Sequence, residues 1–234
     1  MKNLRIEAVV LAIGLVLAGY FVKLGIDSLA DRGRVVNVKG LAEIEVPADK
    51  VTWPLMYKSL GNDLPLLYGQ IKTTNQKVVA FLTSKGITAD EISINAPEVF
   101  DVQAERYGNS NSNPYRYNVT TVITVTSNKV DLVRKLISEQ GELLKQGIAI
   151  SGGDYRYNVS YDYTSLNKIK PQMIEEATKN AREAAEKFAK DSESKLGKIK
   201  QANQGQFSIS DRDANTPYIK NVSVVTTIAY SLED

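Results

Sequence analysis

Hydrophobic and polar residues are arranged in two different ways along this chain. Ala8 to Val22 is an unbroken apolar run without a charge, whereas everything behind it alternates or repeats with a helical period. A segment that is apolar on every face suits a lipid environment and not the surface of a folded domain. Counted on through Lys23 to Ile26 the run has 19 residues. At ~1.5 Å per residue that is about 28 Å of helix, close to a hydrocarbon core of ~30 Å. Lys2 and Arg5 precede it, Lys23 can snorkel at its far end, and Tyr20 and Phe21 suit an interfacial position. The pattern predicts a retained single-span anchor within residues 1–33, followed by one domain over 34–234. A cleaved signal is the competing reading, because Ser28-Leu29-Ala30 supplies small residues for a cleavage site. Lys2 and Arg5 place the N-terminus in the cytoplasm and the domain outside, although Arg32 and Arg34 blur the contrast.

Behind the run, Val36, Val38, Gly40, Ala42, Ile44 and Val46 alternate with polar positions and predict a half-buried strand. Val51, Trp53, Leu55 and Tyr57 predict another, with Pro54 pointing to a sheet edge. Leu67, Ile71, Val78 and Leu82 set a helix over 64–85 that stops at Gly86. Strands are expected over 92–102 and 117–126, joined by a polar connection over 104–114. A helix follows over 130–145, closed by Gly147. Tyr155, Tyr157, Val159, Tyr161 and Tyr163 then predict an aromatic strand. The longest helix is expected over 166–196, with a small inner stripe of Ala177, Ala181, Ala184, Ala185 and Ala189 and Phe188 as its one large member. Strands over 199–209 and 222–232 complete the chain. Strands in adjacent pairs between single helices favour an α+β class, an antiparallel sheet with helices packed on one face, preceded by a single N-terminal transmembrane helix. The string Tyr-Arg-Tyr-Asn-Val recurs at 115–119 and 155–159, which reads as coincidence.

Composition narrows the chemistry. The 234 residues contain no histidine and no cysteine, so His-based triads, Cys-His pairs and disulfides are excluded. Zinc loses its two commonest ligand types. A net charge of +2 with Lys and Arg scattered among acids leaves no footprint for nucleic acid. No catalytic, cofactor-binding or metal-binding residue set is assigned, and no cofactor is expected.

The polar candidates all have plain structural readings. Asp211, Asp213 and Asn215 resemble the opening of a calcium loop, but Thr216 replaces the glycine and Val222 the closing glutamate, which leaves a polar turn. Glu43 and Glu45 with Lys39 form a solvated strand face, and Asp90 and Glu91 read as turn and strand-start residues. The tyrosines of 155–163 read first as a core-facing stripe, with a ligand groove or a subunit interface as the functional alternatives. Asn118, Asn158 and Asn221 head glycosylation-type triplets inside expected strands.

Three segments give the chain a likeness. Val36-Asn37-Val38-Lys39-Gly40-Leu41-Ala42-Glu43 followed by Val46-Pro47-Ala48-Asp49-Lys50 is similar to the opening strand, glycine and Pro-Asp-type turn of the SIMPL-domain family, with Ala48 interposed. The alanine-spaced helix running into Lys195-Leu196-Gly197-Lys198-Ile199 and the alternation from Val222 to Leu232 add to it. The resemblance covers about residues 35–232. It implies a bacterial cell-envelope protein, periplasmic or membrane-anchored, of α+β fold, with a tendency to oligomerise, an association with stress responses and no shared catalytic set. The expected function is therefore a membrane-anchored, outward-facing, non-enzymatic envelope protein of the inner membrane, with its domain in the periplasm. It would act as a homo-oligomer or by binding another envelope component. The alternatives are a soluble periplasmic protein after cleavage, and a hydrolase using carboxylate or Ser/Lys chemistry.

Overall fold

The computed structural model describes residues 2–31, 34–104, 114–152 and 155–233. The expected domain boundary at 33 and most of the 104–114 connection lie outside the described residues, as do the side chains of Ser28, Leu29 and Ala30. Helix α1 (Lys2–Asp31) contains the apolar span Ala8–Ile26, none of which is buried by the rest of the chain. Behind it the fold is α+β with antiparallel sheets. Contacts divide the chain into two compact units, Met1–Ile44 with Asn167–Ile209 and Val222–Asp234, and Glu45–Leu166 with Ser210–Asn221.

The first unit is built on strands β1 (Val35–Pro47), β7 (Lys195–Gln204), β8 (Ser208–Asp211) and β9 (Ile219–Glu233), in the order β1-β9-β7 with β8 also beside β9. The alternation in β1 is realised: Val38, Ala42 and Val46 are buried, while Asn37, Lys39, Glu43 and Glu45 face solvent. Helix α5 (Leu166–Asp191) packs its alanines here, Ala181 and Ala185 against Val38, Ile228 and Tyr230. The small stripe has a specific purpose at Gly40, where a Cβ would run into the α5 backbone at the Ala177 carbonyl and the Ala181 amide. Phe188 is not part of that stripe; it is 59% exposed, and Met173 is the large residue α5 buries. The helix also ends earlier than expected, at Asp191. Glu193 adopts a left-handed φ of 54°, its amide donates to the Lys190 carbonyl, and the Ser194 amide donates to Ala189 at 2.9 Å. That is a Schellman closure with glutamate in the place glycine usually takes.

The second unit is built on β2 (Lys50–Gly61), β3 (Ile92–Ile94), β4 (Glu98–Asp101), β5 (Tyr117–Ser127) and β6 (Ser160–Asp162), in the order β3-β5-β2-β6 with β4 also on β5. Trp53, Leu55, Ile123 and Val125 meet Val78, Phe81 and Leu82 of α2 (Leu64–Ser84), and Val133 and Leu136 of α3 (Val130–Glu139). Asp63 caps α2, accepting from the Leu66 amide at 3.0 Å, and Gly86 closes it at φ 97°. Four expectations are corrected here. Strand β2 lies between β5 and β6 and is not an edge as a whole; only past Thr52, where the β6 pairing ends, does Pro54 lack a β6 partner, the local edge position a proline needs. The strand over 92–102 is two strands, because Ile94 opposes Ile123 while Glu98 opposes Thr120. Four steps thus face three, a bulge at Pro97, which has no N–H for the ladder. The helix over 130–145 breaks at Gln140, whose amide turns to the Ile137 carbonyl in a 3₁₀ step; Gly141 then starts the short α4 (Gly141–Lys145). The aromatic strand shrinks to β6, with Tyr155–Tyr157 in a 3₁₀ turn. The same pentapeptide leads into β5 at 117, so its two copies fold differently.

Candidate functional site

The acidic residues singled out in the sequence are occupied in holding the fold. Asp213 Oδ1 accepts from the amides of Asn215 and Thr216 at 2.8 and 2.9 Å, and its Oδ2 from the Thr216 hydroxyl and from Arg212 Nε. These bonds, the Thr216 hydroxyl foremost, hold its carboxyl down at about 2. Asp211 pairs with the buried Lys220. The D-x-D-x-N string is therefore an Asx turn with an ion pair, and the side chains do not converge. Glu45 reaches Arg212 Nη1 at 3.3 Å, and Glu43 stays on the solvated face of β1. Among the described residues there is no group of three or more acids placed to hold a metal. Asn118 and Asn221 sit inside strands β5 and β9, and Asn158 lies just before β6.

Asp49, in the turn after β1, accepts from the Thr164 amide at 2.7 Å, the Thr164 hydroxyl at 2.9 Å and the Ser165 amide at 2.9 Å. Burial works to raise its pKa, and the bonds from Thr164 and Ser165 outweigh that and lower it. The carboxylate satisfies amides at the entry to α5, where a helix start carries unpaired donors and positive potential.

Two concave surfaces of the second unit offer ligand geometry. The first is an open recess of about 770 Å³ between α3 and the turn that precedes β9. Arg134 of α3 lies 3.4 Å from the ring centroid of Tyr218, and Tyr218 meets Tyr161 of β6 edge to face at 6.2 Å. Arg134 Nη1 donates to Asp131 Oδ1 at 3.3 Å. Lys135, Ile137, Asn215 and Pro217 complete the lining. Burial raises the Tyr161 pKa, with the Arg134 charge opposing and Tyr218 adding. The Asx turn of Asp213 shapes the wall that presents Asn215 and Pro217. Of the residues flagged from sequence, Tyr161 and Asn215 reach this recess. Arg134 and Tyr218 carried no signal beyond an adjacent Arg-Lys pair on a helix and one tyrosine after a proline.

The second surface is an apolar groove of about 580 Å³, lined by Tyr68, Ile71, Val79 and Ala80 of α2 and by Ile94 and Pro97 of the edge segment β3–β4. Its floor is fixed by the Tyr57 hydroxyl, which donates to Asn75 Oδ1 at 2.8 Å. Tyr68 is 66% exposed, Ile94 50% and Val99 51%.

Fold and surface together define an α+β module behind a single apolar helix, with two open concave surfaces on its second unit. Residues 36–228 match the family model SIMPL, a protein of unknown function (DUF541), and the chain belongs to that family. Comparison with curated proteins gives no match. Helix α1 has the length and composition of a signal anchor or a signal sequence.

Proposed function

We propose that this is a non-enzymatic, membrane-tethered envelope protein whose domain faces outward and which works by self-association, presenting an assembled surface to other envelope components. The observation that carries the reading is the exposed span Ala8–Ile26, which the rest of the chain leaves uncovered and which a bilayer would cover. Self-association is supported by the edge strands β3 and β4. Both offer main chain on their outer side, and their Ile94 and Val99 are half exposed beside the α2 groove. Edge strands with apolar side chains attract a further partner unless something covers them.

The test uses protein extracted in mild detergent from its native membranes. Intact mass should show the residues before Ala30 still attached, and light scattering should show a multimer that Val99→Lys dissociates. A mature N-terminus at Asp31 would refute the tether. A monomeric mass across a concentration series would sink the assembly.

A further inference from the structure

We propose that the recess between α3 and the turn before β9 binds a monocarboxylate carried on an aromatic or apolar body, with Arg134 as its anchor. This goes beyond tethering and self-association and depends on neither, since none of the recess residues belongs to α1 or to the β3–β4 edge.

The argument begins at Arg134. The central carbon of the guanidinium lies 3.4 Å from the Tyr218 ring centroid, so the ring covers one side of the group and its N–H groups must find acceptors elsewhere. Among the described residues the one acceptor for those groups is Asp131, through a single bond of 3.3 Å. A guanidinium fork presents parallel N–H pairs that match a carboxylate in two-point fashion, so this fork is oriented and underused. Asp131 shows that a carboxylate reaches it. The Asp131 side chain is 96% exposed, and it is therefore a placeholder that an incoming carboxylate can replace at little cost.

The surroundings select the rest of the ligand. Tyr161, Tyr218, Ile137 and Pro217 offer ring and aliphatic surface beside the fork, which suits an apolar body. Asn215 supplies a polar rim. A recess of about 770 Å³ lies within the size of small-molecule sites. The local charges also decide between anions. Arg134 and Lys135 are opposed by Asp131 at the fork and by Glu139, 3.8 Å from Lys135. A single negative charge is accommodated there, whereas a dianionic phosphate meets two acids. Aryl and alkyl carboxylates, N-acyl amino acids and the C-terminus of a peptide ending in an apolar residue share this chemistry.

The probe is N-acetyl-phenylalanine, measured by equilibrium dialysis against the full-length chain in nanodiscs, with empty nanodiscs as the blank. Saturable binding at one site per chain is expected. The neutral N-acetyl-phenylalanine amide should bind at least tenfold more weakly, since a charge-assisted pair is lost (about ten- to a hundredfold in affinity). Arg134→Gln should weaken the acid by a similar factor, and Arg134→Lys should restore little because the planar fork is gone. Asp131→Asn should tighten binding by a few fold, an effect in the opposite direction that damaged folding does not mimic. A tripeptide ending in phenylalanine that binds as tightly as the single residue marks a peptide terminus as a source, and one that is excluded marks a small molecule. The proposal is overturned by the absence of saturable binding up to about 10 mM, which is weaker than ~3 kcal/mol. Equal binding of the amide, indifference to Arg134→Gln, or weakening by Asp131→Asn overturns it as well.

Discussion

Glu91 joins four stretches of chain through one carboxylate. Its Oε1 accepts from the Ser127 hydroxyl at 2.6 Å, and its Oε2 from the Thr88 amide at 2.8 Å, the Thr88 hydroxyl at 2.9 Å and Lys129 Nζ at 3.0 Å. Lys129 also donates to the Gly86 carbonyl, so the C-terminus of α2, the start of β3, the end of β5 and the start of α3 meet here. Partial burial acts to raise the Glu91 pKa, but the bonds from Ser127, Thr88 and Lys129 outweigh it and hold it at about 2 against a usual 4.5. Above pH 4.5 the folded and unfolded chains both carry the charge, and the folded state has its full benefit. As the pH falls from 4.5 toward 2, the unfolded chain takes up the proton first and that benefit is lost. Glu91→Gln should therefore lower unfolding stability at pH 7 by about 2 kcal/mol, and the gap from the parent should close toward pH 2. Urea melts of both proteins across that range read this directly, and a gap independent of pH would refute the assignment. At this scale the sequence is legible where partners are near. Glu91 reads as a turn or strand-start residue, and the structure shows it closing a capping box with Thr88, whereas Ser127 and Lys129 are brought to it only by the β3–β5 pairing. Arg134, Tyr161 and Tyr218 illustrate the same limit: each lies on a different element, and their stacking follows from folding and not from spacing.

The elements themselves read well wherever period and punctuation agree. In α2, the Asp63 cap, Pro65 in the first turn, the buried Leu67, Ile71, Val78 and Leu82 and the Gly86 stop all give the same bounds. Strand β1 repeats its alternation over its whole length because Gly40 keeps the inner face in contact with α5. Boundaries slip where a stop signal is missing or its geometry is hidden. By sequence helix α5 runs on to 196, because its left-handed closing residue is Glu193, not glycine. The same residue yields a test. A non-glycine residue at φ 54° carries a steric cost that glycine does not. Glu193→Gly should raise stability by about 1 kcal/mol with the denaturant slope unchanged. A loss of stability would show that the glutamate side chain contributes more than its backbone costs. The bulge at Pro97 and the break at Gln140 were illegible for a different reason. Each lies inside a segment whose hydrophobic period continues, and the period outweighs the local signals of Pro97 and Gly141; the register of the partner strand and the turn of one amide show the breaks.

For the molecule as a whole, the apolar helix, the α+β class and the family are all legible in the sequence, because they rest on long-range pattern and on motif order. The surfaces could not, since concavity depends on how several elements meet. One feature of the topology bears on how the protein is made. Strand β9 lies between β1 and β7, yet it is synthesised about 180 residues after β1 begins. At ~5–20 residues per second β1 waits roughly 10–40 s for its neighbour, while the long ladder between β2 and β5 can already close. Biogenesis should therefore be stepwise. In ribosome-arrested chains ending at 218, the β2–β5 ladder should resist protease while β1 remains cleavable, and release of the full chain should protect all three. Protection of β1 before β9 is made would show that another segment shields it during synthesis. Until then, a chain with so late a keystone stays partly open to chaperones and to passage through a narrow pore.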